Sequence, residues 1–156
     1  MNYEIVNLEE KNVIGFCKRT SNLDPQMQII IGGLWKNLFE LGYVEKINSK
    51  CSTYPICLYS DYESDASGKY DATVGFEVSS DAIPPTGTIR KIIPAGTYAK
   101  FYIKGNLVDA VNHFWQALWK MDLPRTYTGD FEVYLSDALS DEAELYVYIA
   151  IDASRI

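Results

Sequence analysis

Histidine occurs once in this 156-residue chain, at His113, and that scarcity removes most familiar catalytic machinery. A serine or cysteine triad would have to use His113, and no G-x-S-x-G elbow exists to present a nucleophile to it. His113 itself falls about 100 to 120° from the edge of its helix's apolar stripe, a solvent-facing position. Zinc-protease, P-loop and dinucleotide fingerprints are missing as well, and Gly32-Gly33 lies inside a predicted helix where neither phosphate motif fits. Cysteine is sparse: Cys17, Cys51 and Cys57 form no C-x-x-C pair and are read as reduced thiols, without a disulfide framework or metal site. No cofactor is expected. Basic residues are outnumbered, 14 Lys and Arg against 21 Asp and Glu, for a net charge of −7. Clustered cations for a phosphate backbone are therefore lacking, and direct nucleic-acid contact is excluded. Nor is there an apolar run of about 18 residues or a basic-then-apolar leader after Met1-Asn2-Tyr3-Glu4, so a cytoplasmic location is expected.

What the chain has in excess is tyrosine, 12 residues of 156. With 47% apolar and 22% charged residues, it matches a globular domain, or two small fused modules, able to bury a full core. Several tyrosines alternate with apolar residues at strand period. In Asp130-Phe131-Glu132-Val133-Tyr134-Leu135, one side carries Phe131, Val133 and Leu135 and the other Glu132 and Tyr134. Glu144 to Ile149 repeats this, with Leu145, Val147 and Ile149 opposite Glu144, Tyr146 and Tyr148.

The order of elements is read as a duplication. A strand over Asn12–Arg19 precedes a helix from about Pro25 to Leu41, capped near Ser21–Asp24 and stopped at Gly42, with Met27, Ile30, Ile31, Leu34, Trp35, Leu38 and Leu41 as its stripe. Strands over Tyr54–Ser60 and Ala72–Ser79 follow, then the connector Ile83-Pro84-Pro85-Thr86-Gly87. Gly96–Ile103, a helix over Leu107–Met121, Phe131–Leu135 and Glu144–Ile151 restart the series. Trp35 with Leu38 corresponds to Trp115 with Leu118, and Ser60-Asp61 to Ser136-Asp137. The fold class expected is α+β: duplicated strand-helix-strand-strand modules, about 1–82 and 88–156, forming one curved, mostly antiparallel sheet with both helices on one face.

On this reading the helices cover the face bearing Phe131, Val133, Leu145, Val147, Val74, Phe76 and Val78. The other face, with Thr73, Gly75, Glu77, Glu132, Tyr134, Tyr146 and Tyr148, is expected to hold a cleft between the modules. Rings beside a desolvated carboxylate suit an organic cation, because the ring quadrupole and the acid attract its charge while the rings bury its apolar body. Glu77, Glu132 and Glu144 share that predicted face, and at least one should lie in the cleft. The plain alternative for each is a solvated strand glutamate. Tyr98, Tyr102, Tyr134, Tyr146 and Tyr148 are candidate walls, or ordinary strand tyrosines. Lys100 sits among the rings or reaches solvent. Trp35 and Trp115 read as core, and Trp119 falls toward the edge of its stripe, within reach of a pocket rim.

The string Ile93-Pro94-Ala95-Gly96-Thr97-Tyr98-Ala99-Lys100-Phe101, preceded by Val74-Gly75-Phe76-Glu77-Val78 and followed by a Trp-containing helix and Asp130-Phe131-Glu132-Val133-Tyr134, resembles the gyrase-inhibitor-like family. That family includes effector-binding domains of AraC-type and MerR-type multidrug-responsive regulators. The resemblance runs from Asn2 to Ile151 and implies a single effector-binding domain that takes amphipathic, often cationic, small molecules with aromatic rings and a buried glutamate. It points to Glu132 for that role. Gly129 departs from the family pattern, where a proline commonly precedes Asp-Phe-Glu, and so does Tyr148-Ile149-Ala150, where many relatives carry a proline. Because the first module begins almost at Met1, a free-standing ligand binder without a DNA-binding region is expected, with a small molecule as partner and room for a protein partner. Two other readings stay open: a glutamate-dependent hydrolase of reactive small molecules, as in some relatives, and an acidic protein inhibitor of a topoisomerase.

Overall fold

Residues 1–135 and 142–156 are described by the computed structural model of the chain. The first half contains strands β1 (Glu4–Leu8) and β2 (Lys11–Ser21), helices α1 (Met27–Glu40) and α2 (Tyr43–Lys46), and strands β3 (Lys50–Ser60) and β4 (Lys69–Val78). In the second half come β5 (Ile89–Ile93), β6 (Gly96–Gly105), helix α3 (Leu107–Trp119), β7 (Asp130–Tyr134) and β8 (Ala143–Ala150). Local chemistry sets the helix ends. Gly42, at φ 74°, takes the left-handed conformation that stops α1 and starts the short α2. Asn106 caps α3, its side chain accepting the backbone N–H of Asp109. Asp24 accepts the Gln26 N–H at 2.8 Å in the turn ahead of α1, which begins two residues beyond Pro25.

All pairings are antiparallel, and the eight strands run in the order β1-β6-β8-β7-β3-β4-β2-β5. The duplicated strand-helix-strand-strand order is present as β2-α1-β3-β4 and β6-α3-β7-β8. Its halves join at the middle of the sheet, where β3 meets β7 through Ile56–Val133, Cys57–Glu132, Leu58–Phe131 and Tyr59–Asp130. The edge strands β1 and β5, which the sequence reading did not contain, cross over: β1 pairs with β6 of the second half, and β5 with β2 of the first. Both are only five residues long, too short for a clear alternation. The Ser136-Asp137 correspondence falls outside the described residues.

Register decides which side chains share a face, because directly opposed residues point the same way. One rung runs Val74–Cys57–Glu132–Val147–Phe101 across five strands. Its apolar members belong to the large core under α1 and α3, with Leu34 and Leu38 from α1 and Phe114 and Leu118 from α3. Glu132 and Tyr134 therefore lie beneath the helices, the reverse of the expected placement, while Phe131 and Val133 lie on the far side. Alternation separates the two sets of β7 residues but cannot orient them, and this strand is buried on both faces. The orientation expected for Leu145, Val147, Val74, Phe76 and Val78 is the one observed. Leu41 is 54% exposed and lies off the α1 stripe. The far side is not open either. Val13, Ile56, Leu58, Ile93, Tyr98, Phe131 and Ala150 form a second buried cluster there, flanked by Val6, Leu8 and Tyr148.

Candidate functional site

Between α1 and α3, above the helix-covered face of the sheet, is a cavity of about 450 Å³, within the size range of small-molecule sites, roughly 300 to 1,000 Å³. One wall comes from Met27, Gln28, Ile31, Gly32 and Trp35 of α1, the other from Leu107, Val111, Asn112, Trp115 and Trp119 of α3. Tyr59, Tyr62, Tyr70 and Tyr134 line the sheet side. Trp35 meets the Tyr134 ring edge-on at 4.8 Å, and Tyr59 meets Trp115 at 5.4 Å and Tyr70 at 5.6 Å. Each such edge-on pair contributes about 0.5 to 1.5 kcal/mol beyond the area it buries.

Glu132 also borders the cavity, 1% exposed. Tyr134, two positions along the same strand and so on the same face, donates to its Oε1 at 2.6 Å. Tyr59 of the neighbouring strand donates to Oε1 at 3.1 Å, and the Trp115 indole Nε1 donates to Oε2 at 2.9 Å. Burial raises the carboxyl's pKa above its ordinary value, and the three donors pull it back in part. Burial, above all, lifts the Tyr59 hydroxyl well above the usual phenol range. Burial and then Glu132 do the same to Tyr134. Both remain neutral donors.

Partners separate the three strand glutamates. Glu77 faces Lys11 at 3.6 Å and Glu144 faces Lys104 at 3.8 Å, both on the far side of the sheet. Among the described residues, Glu132 belongs to no ion pair. The cation nearest in chemistry, Arg125, also lines the cavity, but its guanidinium is committed to the fully buried Asp130 at 2.8 Å and stacks on Tyr127 at 4.3 Å. Asp130 further accepts the Tyr62 hydroxyl at 2.7 Å and the Ala150 N–H at 2.9 Å. With that pair neutral overall, Glu132 is, among the described lining residues, the carboxyl group without a cation beside it.

Of the residues singled out from the sequence, the structure brings Glu132, Tyr134 and Trp119 together, the last 47% exposed at the rim. Glu77, Tyr98, Tyr102, Tyr146 and Tyr148 lie on the opposite face. Tyr98 is buried with its hydroxyl on the Pro94 carbonyl, and Tyr102 donates to Glu144 at 2.7 Å. Lys100 sits 4.0 Å from the centre of the Tyr146 ring and 5.8 Å from that of Tyr148, so these rings already hold a cation of the chain itself. Tyr59 and Trp115 are the functional candidates that sequence reasoning missed. A tryptophan on the inner side of a helix needs an acceptor for its N–H, and that requirement was the available signal that an inward carboxylate lay beneath it. His113 is exposed, and the three cysteines are unpaired.

The chain thus combines a duplicated, all-antiparallel α+β sheet with an aromatic, acid-floored cavity between its two long helices. The chain belongs to the GyrI-like small molecule binding domain family, whose pattern it matches over residues 1–152. It is 34% identical over 160 residues, covering 94% of this chain and 96% of the relative, to "Putative transcriptional regulator protein YobU" of Bacillus subtilis (strain 168). Among solved structures it is similar to integron cassette protein VCH_CASS2 from the mobile metagenome of Vibrio cholerae, at 25% identity and TM-score 0.74 over 96% of this chain and 95% of that one. It also resembles SAV2435 bound to tetraphenylphosphonium, at 15% identity and TM-score 0.76 over 99% of this chain and 96% of that one, a likeness of fold. No described helix is long and apolar enough to cross a membrane.

Proposed function

We propose that this protein is an effector-binding domain that takes an amphipathic, monovalent organic cation into the cavity between α1 and α3, with Glu132 as counter-ion and the surrounding rings as its apolar bed. The observation carrying the reading is Glu132 itself: buried, oriented by three donors and, among the described residues, without a basic partner. An ionised carboxylate so placed pays a desolvation cost that an entering cation offsets, and rings around that cation add about 0.5 to 2 kcal/mol each. The phosphonium bound by SAV2435 is a guest of this chemistry in a protein of the same fold, which supports the reading by analogy. The far-side rings offer less, since Lys100 and Lys104 already neutralise that surface.

Trp35, Trp115 and Trp119 line the cavity, so titration with tetraphenylphosphonium is expected to change tryptophan fluorescence saturably. Glu132→Gln tests the acid specifically. A glutamine can keep its carbonyl toward Trp115 and turn its amide toward the Tyr59 and Tyr134 hydroxyls, which can accept, so the variant is expected to fold. Its affinity is expected to fall by about 2 to 5 kcal/mol. Equal affinity in the wild type and Glu132→Gln would refute the proposal.

A further inference from the structure

Helix α1 carries two adjacent glycines, Gly32 and Gly33, in its interior. A glycine there weakens a helix relative to alanine, because its backbone loses more freedom on folding. The usual structural excuses are missing. Neither glycine has a positive φ, and a Cβ built on either meets nothing within 4 Å. The folded chain therefore gives no steric reason for glycine at these positions.

Their surroundings differ in one respect. Gly32 lines the cavity, between Gln28 and Trp35 on the same helical face, whereas Gly33 does not. The space in front of Gly32 is thus space that a guest would fill. Resting on the proposed reading of the cavity, we infer that Gly32 is a ligand contact: the bare α1 backbone forms a shallow recess beside Trp35 that receives the aromatic body of a bulky cation, and the missing side chain sets the upper size of the guest. Val111, Asn112 and Trp115 of α3 line the same cavity, so a side chain at 32 takes up space within it.

Gly33 supplies an internal control. Gly32→Ala, Gly32→Leu and Gly33→Ala are compared with the wild type by urea unfolding and by titration with two permanent cations, tetraphenylphosphonium and the smaller tetraethylammonium. Both alanine variants are expected to raise the urea midpoint, because they restrict the unfolded chain at sterically open sites. Gly33→Ala leaves both affinities unchanged. Gly32→Ala weakens tetraphenylphosphonium binding by about tenfold, the scale of overpacking by one methyl, and Gly32→Leu removes it, while tetraethylammonium binds all variants alike. Equal tetraphenylphosphonium affinity in Gly32→Ala and Gly33→Ala overturns the inference, and so does a lowered urea midpoint for Gly32→Ala, which would show that the site is not sterically open. Failure of the wild type to bind either cation is a separate result, striking the cavity reading itself.

Discussion

Glu132 is one carboxyl group in a rung of apolar side chains, and on the proposed reading its protonation couples the fold to the guest. Its folded pKa lies above the ordinary 4.5, chiefly through burial. Protonation then favours the native state: the stability this group contributes is complete below about pH 4.5 and is lost as pH rises through the folded pKa. On that reading a permanent cation would reverse the preference by holding the carboxylate ionised. Affinity for tetraphenylphosphonium is accordingly expected to rise with pH through the free protein's Glu132 pKa and then level off, and Glu132→Gln should show a flat profile. A sloping profile in that variant would place the responsible proton elsewhere. Glu132 was singled out through the resemblance that the Asp130-Phe131-Glu132 string carries, and it is the buried one of the three strand glutamates, but its orientation was not legible. Phe131 and Val133 are as apolar as any core pair, and the strand is buried on both faces, so hydrophobicity had no preference to offer. Only the pairing of Glu132 with Cys57 and Val147 settles the direction.

Among the elements, the segment leading into β7 shows how the cavity floor is fixed. Asp130, fully buried, ties the Arg125 loop, Tyr62 and the backbone of β8 to the first residue of the strand that carries Glu132. Arg125→Met would leave that carboxylate without its cation, and an unpaired buried charge of this kind costs about 3 to 5 kcal/mol. Urea unfolding checks the loss. Adding Asp130→Asn to Arg125→Met removes the stranded charge and is expected to recover part of it. A single variant as stable as the wild type would mean that the pair does not anchor β7. The two long helices and the strands of each repeat were legible from periodicity, with the Gly42 stop for α1; the side-chain cap expected for α1 is not formed, since the helix starts at Met27 behind Gln26. The short β1 and β5 were not, since five residues beside a proline-rich connector or a terminus carry too little pattern. Nothing local announces that each would pair with the opposite half.

Taken whole, the molecule is a duplication laced together by that exchange, with β1 on the second half, β5 on the first, and β3 against β7 between them. Both halves also contribute to one core cluster. They are therefore expected to unfold together, with coincident urea transitions in tryptophan fluorescence and far-ultraviolet circular dichroism. Two separated transitions would contradict the interlocking. The same arrangement brings one wall of the cavity from each half, α1 from the first and α3 from the second. Tetraphenylarsonium places the central claim under the most direct test, because its arsenic atom is an anomalous scatterer that can be located in a crystal of the complex. The account predicts an arsenic peak between α1 and α3, over Glu132 and within about 6 Å of surrounding ring centres. A peak on the far face beside Tyr102, Tyr146 and Tyr148, with the cavity empty, would contradict it.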